Sequence, residues 1–360
     1  MLKAKFSRVA PAIRRCRHAL RSVVAMSAIP LCFSADVIGA NATAPERTAE
    51  APGTVPAWVF PLVPPSPDAA PTRDRGEPLH VPNSDVTFTK AQLNNFFAVP
   101  DWHPKSHSAM PEVVERGRAP DVYACGYCHM SGGQGRPENA PLAGLPAPYI
   151  VRQLADFKSG ARRSAWRGAY SPSDLMIHVA AYATADDVAS AAAYFSQQRP
   201  KSRVLVIERA RIRHSHVVGW VYTALPGSGD EPLGQRLLEF APDITRHEHR
   251  DDEMQYVAYV PPGSISRGRS IATTGAGGLT VPCISCHGDK LQGIGLVPGI
   301  CGRSPTYLLR QLLAFRTGTR AGATGLPMLP VVAKLQINNM IDVAAYAASL
   351  QPQTSSDPGH

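Results

Sequence analysis

The sequence has no apolar run long enough to cross a membrane by itself. The apolar stretch Val23–Phe33 contains Pro30 and is much shorter than the roughly 20 residues that a membrane-spanning helix needs. Seven basic residues precede it, and Ala40-Asn41-Ala42 follows with the small residues that signal peptidase recognises. We therefore predict an export signal over residues 1–42 and a periplasmic protein, with an uncleaved anchor helix as the alternative.

Beyond this signal the sequence also lacks a marked excess of positive charge. The whole chain carries a formal charge of +9, but residues 1–42 hold seven basic residues and one acidic residue, so the remainder carries +3. Nucleic-acid-binding domains instead concentrate basic residues on one face or along one helix. We therefore expect no nucleic-acid partner.

Cysteine is scarce, with seven residues in 360. Cys16 and Cys32 belong to the predicted signal, Cys301 stands alone, and the other four form two close pairs. Disulfides are the usual expectation for an exported protein. However, a histidine directly follows each pair, and this feature indicates a different chemistry.

The two pairs are Cys125-Gly-Tyr-Cys128-His129 and Cys283-Ile-Ser-Cys286-His287. In a Cys-x-x-Cys-His motif, the two thiols form thioether bonds to haem and the histidine binds its iron. A redox-active dithiol would not need the histidine, and a zinc site would need further ligands nearby. The sequence therefore predicts two covalently bound haem c groups.

The two motifs belong to an internal repeat, which predicts two copies of one helical domain over residues 109–199 and 263–352. An offset of 158 relates the motifs, and an offset of 152 carries Met176 onto Met328. Other residues repeat at the first offset: Tyr149, Arg152, Gln153, Leu154, Phe157, Gly160 and Arg162 match Tyr307, Arg310, Gln311, Leu312, Phe315, Gly318 and Arg320. Within the first copy, Gly160 predicts a helix end and Thr184 predicts a helix start.

Met176 and Met328 are the predicted sixth ligands of the two irons. They lie 47 residues after His129 and 41 residues after His287. An isolated methionine usually packs in a core, but two that align within a haem repeat favour ligation. His178 is the rival in the first copy, although the second copy has Pro330 at that position. The predicted metal ligands are therefore His129, Met176, His287 and Met328.

Several further residues have predicted supporting roles. The carbonyls of Pro141 and Pro298 are expected to accept a hydrogen bond from the second nitrogen of each histidine. Gly117 and Gly268 are expected to let the first and last helices of each copy cross closely. Arg162 and Arg320 could pair with haem propionates, and a surface position is the alternative that the sequence favours.

The remaining segments differ from the repeat in composition. Residues 43–108 begin with a proline-rich stretch and form a leader and linker, interpreted as a tether or as a wrap over the first domain. Residues 200–262 contain three strand-like runs, Val204–Ile207, Val217–Tyr222 and Tyr256–Val260. This insert could brace the two domains or dock a partner. Residues 353–360 form a short tail.

Together the motifs, the Tyr-x-x-Arg-Gln-Leu-x-x-Phe helices and the methionine placement resemble cytochrome c4, over residues 110–198 and 264–350. This resemblance implies a mainly α fold of two tandem class I cytochrome c domains, here with a β-containing insert and a proline-rich leader. It also implies a periplasmic electron carrier, often associated with the membrane surface, that passes electrons towards a terminal oxidase. The leader and the insert depart from the family and leave the partner open.

The expected function is electron transfer without a substrate of its own, from a dehydrogenase or quinol-oxidising complex to a high-potential acceptor. One alternative is the cytochrome subunit of a periplasmic dehydrogenase complex. Another is an oxidoreductase acting on thiosulfate or peroxide. A peroxidase needs an open iron, which two aligned methionines argue against. Cys301 lies only 14 residues after His287, too near the motif to be a sixth ligand.

Overall fold

A computed structural model describes residues 55–61, 76–166, 168 and 171–352. The predicted signal over residues 1–42 and the tail over residues 353–360 lie outside the described residues, as does part of the leader. Within the described part of the chain, no helix has both the length and the apolar character needed to cross a membrane.

The described leader residues pack against the rest of the chain. Residues 55–61 contain a short 3-10 turn, Ala57–Val59, and Val59 and Phe60 are buried in a core formed mainly by residues of the second repeat. Helix α1 (Lys90–Leu93) belongs to a second packed segment, in which Trp102 is buried beside Val81 and Leu93. The tether interpretation is therefore wrong for these residues. Residues 55–61 pack mainly on the second repeat. The later leader contacts the first repeat, as the wrap interpretation predicts: Val99 N donates to the Glu115 carbonyl over 3.0 Å, and Tyr127 Oη donates to the Leu93 carbonyl over 3.0 Å.

The first repeat folds into five helices around a core that includes Val114, Ile150 and Phe195. They are α2 (Glu112–Glu115), α3 (Cys125–His129), α4 (Ala147–Ser159), α5 (Pro172–Tyr182) and α6 (Ala185–Gln197). The predicted signals are confirmed: Gly160 ends α4 in the left-handed conformation, and Thr184 starts α6 with a capping box.

The insert folds into two small sheets. Its strands are β1 (Val204–Glu208), β2 (Arg211–Arg213), β3 (Ser215–Val218), β4 (Val221–Ala224), β5 (Asp230–Pro232), β6 (Leu238–Phe240) and β7 (Tyr256–Val260), with helix α7 (Ile244–Glu248) before β7. Five strands form one sheet in the order β1-β7-β6-β4-β3, and β2 pairs with β5.

One of the predicted strands is wrong. The run Val217–Tyr222 is the centre of a hairpin in which antiparallel β3 and β4 are joined by Gly219 and Trp220. Gly219 has a φ of 59°, which a residue without a Cβ adopts easily, so the chain reverses there instead of continuing. The strands predicted at Val204–Ile207 and Tyr256–Val260 are present as β1 and β7, which pair in parallel.

The second repeat also folds into five helices, and its residues form most of a core that Val59 and Phe60 of the leader, Ala165 of the first repeat and Leu237 and Val260 of the insert complete. They are α8 (Ser264–Thr274), α9 (Ile284–His287), α10 (Pro305–Arg316), α11 (Met328–Val332) and α12 (Ile337–Ser349). Equivalent hydrogen bonds recur in both repeats: Gly144 N donates to Phe195 O over 3.0 Å, and Gly302 N donates to Ala347 O over 2.8 Å. The two segments therefore fold alike around their motifs.

Helices α8 and α12 cross closely at Gly268, as predicted. A Cβ at Gly268 would overlap the Asp342 carbonyl and lie 2.9 Å from the Cβ of Tyr346. The matching expectation for Gly117 is wrong, because a Cβ there would meet the backbone of Val122 and Ala124 in its own loop. With a φ of 67°, Gly117 serves a local turn and not a helix crossing.

The insert contacts both repeats. Arg203, directly before β1, donates to the Gly135 carbonyl of the first repeat over 2.8 Å. Glu239 in β6 accepts a 2.6 Å hydrogen bond from Ser304 Oγ and one from Thr306 N at the start of α10. These contacts are those expected of the brace interpretation.

Candidate haem-binding sites

The first motif opens onto a large cavity. Helix α3 is a single turn, which carries Cys125, Cys128 and His129 to one wall, and α5 supplies Met176. The remaining walls are mostly apolar: Leu142, Leu145, Ile150, Leu154, Phe157, Val179 and Phe195. The structure thus brings the four residues predicted for the first haem to one cavity with the apolar lining that a porphyrin requires.

His129 is held in a defined orientation. The ring is buried, and its Nδ1 lies 2.7 Å from the Ala140 carbonyl oxygen, so the N–H there donates and Nε2 remains available. Burial lowers the pKa of His129 and keeps the ring in the neutral form that binds a metal. The predicted acceptor Pro141 is wrong by one residue, since Ala140 is the position that the offset of 158 relates to Pro298.

The second motif repeats this hydrogen bond. His287 Nδ1 lies 2.8 Å from the Pro298 carbonyl oxygen, as predicted, and burial lowers the pKa of this histidine as well. Cys286 is exposed, whereas Cys283 packs against the second core. Met328, the first residue of α11, packs against the same core.

The rival ligand His178 has other partners. Its Nε2 lies 3.3 Å from Asp121 Oδ1, and its ring stacks on Tyr123 with a centroid distance of 5.8 Å. Within the described part of the chain, the residues that line the cavity include Met176 and not His178. The geometry therefore favours the methionine.

The thiols themselves are poorly suited to act as a redox dithiol. Burial raises the pKa of Cys125 to about 12 and that of Cys283 to about 11. Redox-active Cys-x-x-Cys pairs depend on a lowered thiol pKa, because the thiolate is the reactive species. This observation disfavours the redox-dithiol reading of the motifs.

A network of polar side chains joins the two repeats at one end of the cavity. Arg162 donates to Gln153 Oε1 over 2.8 Å and to Gln311 Oε1 over 3.1 Å. Arg320 donates to Tyr149 Oη and to Gln153 Oε1, both over 2.8 Å. The exposed position that the sequence favoured for these arginines is therefore wrong.

The two guanidinium groups have no anion to balance them among the described residues. Their hydrogen-bond partners there are all neutral, burial lowers the pKa of Arg162, and the charge of Arg320 lowers it further. Buried cations are stable when anionic groups pair with them, and the propionates of a haem are such groups. The network is therefore suited to the polar edge of a haem.

Two charged residues of the cavity wall were missed by sequence reasoning. The Glu138 side chain is buried, and burial alone raises the pKa of the carboxyl group. The positive charges of Arg136 and His247 outweigh this effect and lower the pKa, and Arg136 Nε lies 3.1 Å from Glu138 Oε1. Arg310 is half-buried, and desolvation lowers its pKa to about 10; its Nη2 has no hydrogen-bond partner in the described structure. Arg310 matches Arg152 at the offset of 158, so the repeat could have drawn attention to it. Glu138 matches Leu296, so the repeat gave no such signal.

Comparisons with known proteins place these features in a family, although no protein-family model matches the chain. Cytochrome c-554(548) of Halomonas halodenitrificans is 37% identical over 68 residues, which are 19% of this chain and 82% of the relative. The thiosulfate dehydrogenase electron acceptor of Thiomonas intermedia is 25% identical over 207 residues, 56% of this chain and 67% of that protein.

Cytochrome c4 of Azotobacter vinelandii is 23% identical over 249 residues, covering 68% of this chain and 91% of the relative. The cytochrome c4 match covers about two thirds of this chain, whereas the cytochrome c-554(548) match covers about a fifth of it. This difference in extent is the one expected if a short c-type cytochrome matches a single repeat and cytochrome c4 matches both. The chain therefore belongs to the dihaem c-type cytochromes that resemble cytochrome c4.

Proposed function

We propose that the protein is a periplasmic electron carrier with two covalently bound haem c groups and no substrate of its own. A donor dehydrogenase or quinol-oxidising complex would reduce it, and a high-potential acceptor such as a terminal oxidase would oxidise it. The observation that carries this proposal is the meeting of Cys125, Cys128, His129 and Met176 in one cavity. A histidine nitrogen and a methionine sulfur bound to the same haem iron would leave it no open position for a substrate.

Each residue then has a definite task. The four motif cysteines, Cys125, Cys128, Cys283 and Cys286, form the thioether bonds. Nε2 of His129 and Nε2 of His287 would bind the two irons, and the sulfur atoms of Met176 and Met328 would be their further protein ligands. When bound, haem supplies reversible one-electron chemistry, and thioether ligation favours a high reduction potential.

The proposed tandem domains, 109–199 and 263–352, contact each other beside the cavity that would hold the first haem. Arg162 of the first repeat and Gln311 of the second are joined by a hydrogen bond in the buried network beside the first cavity. Through this network Arg162 hydrogen-bonds to Tyr307 of α10, and Arg320 hydrogen-bonds to Tyr149 and Gln153 of α4. An electron could then enter through one domain and leave through the other.

A second candidate narrows the donor to a thiosulfate dehydrogenase. The relative from Thiomonas intermedia bears the name of an electron acceptor for that enzyme, and the match covers 67% of its length. In this candidate the protein remains a carrier, and the partner enzyme oxidises thiosulfate. Direct catalysis is less well supported, because Cys301 is buried in the second core and lies close to its motif.

The proposal is tested first by haem content. A pyridine haemochrome assay should find two haems per chain that resist denaturation, and Cys283→Ala should retain stable attachment only in the first domain. Cys301→Ala, which removes a thiol outside both motifs, is the matched control and should keep both haems. One haem in the wild-type protein would contradict the two-site proposal.

The choice between carrier and enzyme needs a second measurement. The purified protein should be six-coordinate and low-spin at both haems and should turn over neither thiosulfate nor peroxide alone. Added thiosulfate dehydrogenase and thiosulfate should reduce it if that enzyme is the donor, and a quinol-oxidising complex with quinol should do so otherwise. Turnover of either small substrate by the chain alone would overturn the carrier proposal.

A further inference from the structure

A cluster of metal-ligating side chains lies away from the haem sites, where the leader meets the insert. His103 of the leader faces the loop between α7 and β7, which carries Asp251, Asp252 and Glu253. One ligand atom from each of His103, Asp251 and Asp252 can be chosen so that all lie within 4.8 Å of one another. This arrangement joins two segments that are about 150 residues apart in sequence.

The imidazole of His103 has one satisfied and one unsatisfied nitrogen. Nδ1 lies 2.6 Å from Asp252 Oδ1, a short hydrogen bond. Nε2 is buried without a hydrogen-bond partner, and only 9% of the side chain is exposed. The nearest carboxylate oxygen across from Nε2 is Glu253 Oε2, at 3.6 Å, which is too far for a hydrogen bond.

A buried ring nitrogen that faces a carboxylate without a hydrogen bond is unfavourable unless a proton or a metal cation lies between them. We propose that a divalent transition-metal ion of the zinc class binds between His103 Nε2 and Glu253 Oε2. A metal about 2.1 Å from both atoms bridges a gap of this size, with an angle near that of tetrahedral or five-coordinate zinc. Water molecules complete the coordination.

The surrounding carboxylates support this geometry. Asp252 accepts the Nδ1–H of His103, which is the carboxylate–histidine–metal arrangement that fixes the ring and raises its basicity. Asp251 holds the loop in place, because its carboxylate accepts from Arg246 Nε over 2.6 Å and from Glu253 N over 2.9 Å. A nitrogen ligand in the set favours zinc-like ions over calcium or magnesium.

The site is accessible and has a structural consequence. The side chain of Glu253 is 41% exposed, so an ion can reach the buried nitrogen from solvent. The same stretch of chain carries Arg250, which donates to the Tyr127 carbonyl inside the first haem motif over 2.9 Å. A bound ion would therefore fasten the leader to the insert beside the first haem site.

A second proton on His103 is the competing occupant of the position between the two atoms. Burial lowers the pKa of His103, but the carboxylates of Asp252, Glu253 and Asp251 outweigh it and raise the pKa. Metal binding should accordingly weaken as the pH falls and this proton competes.

The test uses the haem-loaded protein, washed with EDTA and desalted, and titrated with zinc chloride at neutral pH. Calorimetry should find one zinc site per chain, and zinc should raise the melting temperature. His103→Ala and Glu253→Gln should each weaken binding at least about tenfold. His216→Ala removes an exposed histidine of β3 and is the matched control, which should bind zinc like the wild type.

Two results would overturn the proposal. One is the absence of a zinc site in the wild-type protein, with a melting temperature that does not respond to zinc, since this leaves His103 as a hydrogen-bond partner of Asp252 only. The other is undiminished zinc binding in Glu253→Gln. Because Glu253 is partly exposed, a folding defect would not obscure that result, and circular dichroism of the variant checks the fold.

Discussion

Replacement of Arg162 by Met tests whether haem propionates balance the charge of the buried arginine network. Arg162 donates three hydrogen bonds to neutral partners, at 2.8 Å to Gln153, 3.1 Å to Gln311 and 3.3 Å to Tyr307. The methionine keeps an unbranched apolar side chain of similar reach but removes the charge and the donors.

The effect on stability depends on whether anionic groups are present. If propionates pair with Arg162, the variant leaves them uncompensated and should destabilise the protein by about 3 kcal/mol, as for a broken buried ion pair. If no anion is present, the variant relieves the desolvation of Arg162 and its repulsion by Arg320, both of which lower its pKa, and stability should rise.

The reduction potential gives an independent magnitude. A unit charge about 10 Å from an iron, at an effective dielectric constant of about 20, contributes about 1.7 kcal/mol, or about 70 mV for one electron. Loss of the cation favours the oxidised haem, so one potential should fall by this order. Arg162 lines the first cavity, so we expect the first haem to shift more.

Spectroelectrochemical titration and denaturant unfolding measure the two effects. Arg116→Met is the matched control, because it removes the same charge from a side chain that is 70% exposed and should shift the potentials far less. A more stable Arg162→Met protein would refute the pairing with propionates. Unchanged potentials in that variant would refute the position of the arginine beside a haem.

Three further predictions follow from single residues. Met176→Ala should abolish part of the sulfur-to-iron charge-transfer absorption and lower one potential, whereas His178→Ala should leave both unchanged; the reverse result would exchange the ligands. The pKa of His107 is raised, chiefly by its hydrogen bond to the Asp101 carboxylate. The stabilisation that protonated His107 provides is therefore complete below its ordinary pKa near 6.5, and it is lost as the pH rises through the raised pKa. The melting temperature of His107→Gln should therefore lack this loss of stability with rising pH, and a pH profile identical to that of the wild type would contradict the role of His107. Gly268→Ala places a Cβ against the facing helix backbone and should cost about 1–3 kcal/mol in chemical denaturation, whereas Gly229→Ala, which has open space around it and no positive φ, is the matched control and should lack this clash.

The sequence predicts the chemistry of each Cys-x-x-Cys-His motif from local information alone. Two cysteines and a histidine within five residues share one helical turn in the first repeat, whatever surrounds it. Helix ends are local for the same reason, as Thr184 and Gly160 show, since a capping side chain or a left-handed glycine acts on its own turn. The repeat added long-range information by matching two stretches of one chain.

Other features were decided only by which segments meet in the tertiary structure. The burial of Arg162 follows from the packing of one repeat against the other, and the place of Glu138 in the cavity wall has no counterpart in the second repeat. Met176 and His178 are two residues apart on α5, so their different surroundings depend on how that helix docks. The pairing of His103 with Asp252 likewise requires the leader to contact the insert. The residue pattern within either segment does not predict such a contact.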